Sequence, residues 1–197
     1  MNRFFVFIGL FVFSSAFGGS DSDEIEAVLK RDFKARGQAT MDRVVQDGLQ
    51  RVCTESDDKP PAGLAKQLEV DQMKTIVFPE GSLLGDWQNG ERIAQGGRGL
   101  MWSDRPGAPS EGSCYNCHQV GPQESSYGTI GPSLLGFGKS RGSGTDMQRY
   151  VYGKIYNAKA YNLCSQMPRL GHSGTLTAEQ IKDLVALLLD PASPVNR

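Results

Sequence analysis

Apolar residues recur at helical spacing through the first part of the chain. Ile25, Val28, Leu29 and Phe33 form one set, and Met41, Val44, Val45, Leu49 and Val52 a second. Leu64, Leu68, Met73, Ile76 and Val77 make a looser third. Such stripes are the faces that amphipathic helices turn toward a core. Pro60-Pro61 breaks the chain between the second and third sets, and Pro79, Gly81 and Gly85 punctuate the end of this region. A fourth helix is predicted over 86–95. A fifth is expected to open at Thr145, with Gln148 placed to complete a capping box, and to run to about Asn157. The last helix has the strongest signal. Thr177 and Gln180 stand at N-cap and N3, and Leu176 and Ile181 at the two staple positions. Ile181, Leu184, Val185 and Leu188 form its stripe, and Pro191 stops it. No useful run alternates apolar and polar, and no repeat is present, so the expected class is all-α.

The N-terminus has a different character. A single positive charge in residues 1–3 precedes an apolar run from Phe4 to Phe13, and small residues follow at Ala16 and Gly18. This is the layout of a secretory signal peptide, with cleavage expected after Gly18 and, as a second choice, after Ala16. The run is too short for a bilayer span, which takes about 20 residues. The expected organisation is a signal peptide at 1–18, a helical extension at 19–82 and a second domain at 83–197. An exported, periplasmic setting lets disulfides persist. Most phenylalanines leave with the signal, and Phe33, Phe78 and Phe137 stay. So thin an aromatic core leaves room for an apolar cofactor.

Charge and composition narrow the choices. The formal net charge is −1, which excludes a strongly basic nucleic-acid surface and an acidic solvating tail. Half of the 24 glycines lie between Gly96 and Gly144. That stretch cannot be mostly helix or sheet, so something else must organise it.

Cys114-Tyr115-Asn116-Cys117-His118 is a C-x-x-C-H motif. Two thiols at this spacing can add to the two vinyl groups of one heme, with the adjacent histidine held beneath the iron. A glycine-rich chain can wrap closely around such a plate. Two other readings compete. A thioredoxin-like C-x-x-C needs strands that are missing here. A zinc site could recruit Cys114, Cys117, Cys164 and His172, but it leaves His118 idle.

If His118 is the proximal ligand, the opposite axial site falls to a methionine, to His172, to a lysine, or stays open. Met167, followed by Pro168, sits on a loop between two predicted helices and is favoured. Met147, Met41 and Met73 fit helix stripes instead. The Pro132 carbonyl is the candidate acceptor for the second ring nitrogen of His118, unless Pro132 is only a turn residue. Trp102, Tyr115 and Tyr127 either line an exposed surface near the motif or pack inside it. Cys53 and Cys164 remain. An even remainder in an oxidising compartment predicts a disulfide between them, pinning the extension to the Met167 loop. The alternative is a functional Cys164, as thiolate ligand or reactive thiol.

From Gly90 onward the order of helix, C-x-x-C-H, Gly-Pro loop, helix, Met-Pro loop and C-terminal helix resembles the class I c-type cytochromes. More narrowly the chain is similar to the SoxX family, the monoheme subunits of SoxXA cytochromes. The residues that carry this are Ile130 to Gly136, Tyr150-Val151-Tyr152, Tyr156 to His172 and Gly174 to Leu188. The resemblance implies a class I cytochrome c fold around one covalent heme c, preceded by the helical extension. It implies Cys114 and Cys117 as covalent links, and His118 and Met167 as axial ligands. It also implies a SoxA-like heme subunit as partner, carrying the catalytic site of an L-cysteine S-thiosulfotransferase-type complex. That complex couples thiosulfate to a cysteine of the carrier SoxYZ. This chain would be its electron-transfer subunit, passing electrons to another cytochrome and holding no catalytic residue of its own. Residues 19–82 fall outside the resemblance.

Overall fold

The computed structural model describes residues 21–197; the signal-peptide reading of residues 1–18 lies outside them. The chain divides into two compact units, one ending at Lys34 and the other spanning Ala35–Arg197. Helix α1 (Asp21–Asp32) belongs to the first unit and carries an i,i+4 pair, Glu26–Lys30, at 2.8 Å. Such a pair adds a few tenths of a kcal/mol, about 0.2–0.5.

The second unit holds six α-helices among the described residues. They are α2 (Gly48–Glu55), α3 (Ala62–Lys74), α4 (Trp87–Gln95), α5 (Phe137–Arg141), α6 (Thr145–Tyr156) and α7 (Ala178–Leu189). Short 3₁₀ turns lie at Met41–Val44, Cys114–Asn116, Ala158–Ala160 and Pro194–Asn196. Among the described residues no strand forms, so the class is all-α.

The core is built on α7. Ile181, Leu184, Val185, Leu187, Leu188 and Leu189 are all buried, and so are Ile93 and Ala94 of α4 and Val151, Tyr152 and Ile155 of α6. Helix α4 crosses α7 closely because Gly90 faces it. A Cβ there would overlap the Asp183 carbonyl. The N-terminal end of α4 is fastened to the same place, with Asp86 N–H donating to Asp183 Oδ1 at 2.8 Å and Gly85 N–H to the Lys182 carbonyl at 3.1 Å. Both ends of α7 are finished by side chains. Thr177 and Gln180 form the reciprocal capping box. Past the C-terminus, Asn196 Nδ2 donates to the Leu188 carbonyl at 3.0 Å, while its Oδ1 accepts from Gly138 N–H of α5 at 2.8 Å.

A second, smaller cluster joins Leu49 and Cys53 of α2 to Leu163, flanked by Ala65, Leu68 and Cys164. Helix α3 ties in through polar contacts. Asn157 Nδ2 donates to Gln72 Oε1 and Thr75 Oγ1 at 2.9 and 3.0 Å, and Glu69 Oε1 accepts from Leu163 N–H at 3.2 Å. Residues 35–82 thus pack into the same unit as 83–197.

Two local expectations change. The stripe from Met41 to Val52 is two pieces, because Asp47 and Gln50 form a capping box that restarts the helix at Gly48. Thr145 is the first residue of α6 and not its cap. Gly144 takes the N-cap position, and Gln148 Nε2 donates to the Ser143 carbonyl at 2.9 Å.

The glycine-rich stretch is held largely by side-chain contacts to backbone. Asp104 Oδ2 accepts from the N–H groups of Gly99 and Met101 at 2.7 and 2.9 Å, and Glu111 Oε2 from Arg98 N–H at 2.9 Å. Gln38 Nε2 donates to the carbonyls of Gly99 and Met101, and Arg43 to that of Leu100 at 2.6 Å.

Candidate functional site

The C-x-x-C-H segment begins where α4 ends. The carbonyls of Ile93 and Gly96, at the C-terminal end of that helix, accept from Gly112 and Ser113 N–H at 2.7 and 2.8 Å. Ser113 itself is left-handed (φ 48°), a conformation that costs a non-glycine residue about 1–3 kcal/mol. Its hydroxyl also donates to the Gly96 carbonyl, at 3.2 Å. The chain then turns tightly, with Cys117 and His118 N–H both donating to the Cys114 carbonyl. Residues 128–134 zip alongside. Gly128 N–H donates to the Tyr115 carbonyl, Gly131 N–H to that of Cys117 and Leu134 N–H to that of Gln119, each at 2.8 Å.

This pairing fixes the imidazole. His118 Nδ1 lies 2.7 Å from the Pro132 carbonyl oxygen. A carbonyl only accepts, so Nδ1 carries a proton, and in the neutral ring the lone pair is then on Nε2. Gly131 makes the approach possible, since a Cβ there would overlap Cε1, Nδ1 and Nε2 of the ring. Sequence reasoning pointed to Pro132 but missed Gly131. The only signal available was its place directly before the proline.

Cys114 and Cys117 are both unpaired thiols. Cys114 packs against the main core, and burial pushes its thiol up to about 11, with Cys117 adding to the rise. At neutral pH it is therefore a neutral thiol. Two free thiols and one imidazole nitrogen of fixed tautomer, gathered on one turn, fit the attachment of a heme through its vinyl groups and iron.

Met167 follows the 3₁₀ turn at Ala158–Ala160. It is half-buried and packs on the same core cluster as Cys114, Tyr115, Leu134 and Phe137. Met147 packs there too, from α6, as its stripe position implies. His172 is exposed, with its N–H donating to the Tyr156 carbonyl. Its pKa is lowered, first by burial and then by the Arg169 charge.

Cys53 and Cys164 form a disulfide with Cα atoms 5.5 Å apart. Cys164 is therefore spent, and the four-ligand zinc set with Cys114, Cys117 and His172 is not assembled. Among the described residues, Cys53, Asp58 and Cys164 are the one group close enough to share a metal ion, and two of them are bonded to each other. Near the bridge, Arg169 pairs with Asp47, the N-cap of α2, a contact that nothing local in the sequence announces. A cleft of about 340 Å³ opens here, bordered by Met167, Arg169, Gln50 and the buried Lys159, whose ammonium donates to the Leu163 carbonyl at 3.1 Å.

The three aromatics near the motif separate. Tyr115 is half-buried against the core and shares the lining of a cleft with Gln95. Trp102 and Tyr127 are exposed. The Arg36 guanidinium lies 3.2 Å above the Trp102 ring. Tyr115 and Tyr127 border a polar cleft of about 620 Å³ with Asn116 and Glu124. Ile130, directly before Gly131, is 77% exposed.

No family model matches the chain. An uncharacterized lipoprotein of Aquifex aeolicus (strain VF5) is 38% identical over 160 residues, which are 77% of this chain and 73% of the relative. Among solved structures, SoxXA from P. pantotrophus aligns with 28% identity and a TM-score of 0.42, over 59% of this chain and 89% of that one. Among the described residues no helix is long and apolar enough to cross a membrane.

Proposed function

The chain belongs to the same family as the Aquifex aeolicus lipoprotein, and we propose that it is an exported monoheme c-type cytochrome that transfers electrons. The observation that carries this reading is the His118 ring, donating through Nδ1 to the Pro132 carbonyl beside two unpaired cysteines. When bound, the heme supplies a one-electron couple whose potential a His/Met ligand pair raises.

The chain's own residues do the rest. Cys114 and Cys117 would form the two thioether links. His118 presents Nε2, and the Pro132 carbonyl orients the ring. Met167, from its loop, would be the second side chain to hold the iron. Were His118 and Met167 both to hold the group, the site would be suited to passing electrons and not to binding oxygen or substrate.

At the finer level we read the chain as the electron-transfer subunit of a SoxXA-type complex. What supports this is the long stretch from Tyr156 to His172 and the Ile130–Gly136 loop. A SoxA-like partner would then hold the catalytic heme, and SoxYZ would be the carrier. The relative's name as a lipoprotein is compatible with export.

The test is a gentle purification from cells grown on thiosulfate, followed by intact mass of each released chain. A chain starting near residue 19, heavier by one heme and bound to a second heme protein, is the expected result. The same chain alone with its heme would make it a free carrier. A chain without heme would overturn the assignment.

A further inference from the structure

We propose that Asp47 is a positioning residue for Met167, acting through Arg169. The inference rests on the reading of Met167 as an axial ligand. Met167 lies in a segment without regular structure, between the 3₁₀ turn at Ala158–Ala160 and α7. A ligand on such a segment is only as well placed as its anchors. One anchor precedes it by three residues, the Cys164 bond to Cys53 inside α2. A chain held at one point can still swing about it.

The second anchor follows by two residues. Arg169 is 16% exposed, and its Nη2 pairs with Asp47 Oδ2. Asp47 is itself immobilised. Its Oδ1 accepts from Gln50 N–H at 2.8 Å, and its own N–H donates to Gln50 Oε1 at 2.9 Å. One carboxylate thus caps α2 with one oxygen and holds the methionine segment with the other. Both anchors fix the segment to the same helix, on either side of Met167. The geometry makes α2 a rigid bracket, and gives residues 47–53 a purpose within the site.

The bracket has a measurable consequence. An outside ligand can occupy the sixth position only in the fraction of molecules whose methionine has swung away, and its apparent affinity scales with that fraction. The experiment titrates imidazole into the oxidised holoprotein and follows the near-infrared sulfur-to-iron charge-transfer band. Asp47→Asn keeps a good helix cap while removing the charge that holds Arg169. Arg169→Gln leaves the cap untouched. Each variant should bind imidazole roughly tenfold more tightly than the parent and show a weaker band, and the double variant should go no further. Arg169→Lys should recover most of the parental behaviour. Should Asp47→Asn fail to fold, Arg169→Gln and Arg169→Lys carry the test. Parental imidazole affinity in both Asp47→Asn and Arg169→Gln, with strong tightening in Met167→Ala, would overturn the bracket while keeping Met167 as ligand. No change of spectrum in Met167→Ala would remove the axial reading, and the bracket with it.

Discussion

His118 Nδ1 lies 2.7 Å from the carbonyl oxygen of Pro132, and the ring fits there because Gly131 has no side chain. Replacing Gly131 by alanine should displace the imidazole and cost about 1–3 kcal/mol as an overpacked contact. Thermal melting and the yield of covalent heme would report it. Pro132→Ala should do far less, because the acceptor is a main-chain carbonyl. Equal losses in the two variants would assign the effect to the loop as a whole and not to the ring contact.

The Cys53–Cys164 bond closes a loop with a sequence separation of 111. In the chain-entropy treatment a loop of about 100 residues gives roughly 4.7 kcal/mol, and native disulfides typically contribute about 2–5. Cys53→Ser with Cys164→Ser should lower the denaturation midpoint accordingly. Reductant should bring the parent down to the same midpoint and leave the double variant unmoved.

Asp47 titrates below the ordinary carboxylate value. Burial would raise its pKa, but Gln50 N–H and the Arg169 guanidinium outweigh burial. A carboxyl lowered in the folded state contributes stability above its unfolded pKa, about 3.9, and loses it as pH falls through the lower folded value. Asp47→Asn should therefore have a shallower acid limb than the parent in unfolding measured against pH. Superimposable acid limbs would mean that the Arg169 contact does not persist in solution.

At α7, Thr177→Ala should cost about 0.5–2 kcal/mol through loss of the cap. Gln180→Ala removes more, since its Nε2 also donates to the Ser110 carbonyl at 2.7 Å, four residues ahead of Cys114. Hydrogen exchange should quicken at residues 110–113 in Gln180→Ala but not in Thr177→Ala.

What the sequence foretold and what it hid differ in range. The start of α7 was readable because its box is written in neighbouring residues, Thr177 and Gln180. The same logic misplaced the cap of α6, since Gly144 suits the N-cap backbone and Gln148 found the Ser143 carbonyl nearer. The restart at Gly48 was hidden behind an apolar stripe that ran through it, though Asp47 and Gln50 carried the signal. The five residues of α5 are too few for periodicity to mark. At the site, the motif and Pro132 were visible because they are local. Arg169 and Asp47 lie 122 positions apart, and Gln38 reaches Gly99 across 61. Only the packing of α2 and of the glycine-rich stretch brings such pairs together.

The disulfide also sets an order of assembly. Cys114 and Cys117 are neighbours in the chain, while Cys53 and Cys164 start far apart, and short loops close more readily than long ones. An oxidant meeting the extended chain would therefore join the wrong pair first. The long bond has to wait until α2 and the segment around Leu163 have met, so there folding must precede oxidation. In an oxidising compartment a newly made chain would face a race between the two, and a thiol–disulfide exchange partner that reopens Cys114 and Cys117 would decide how many molecules finish correctly.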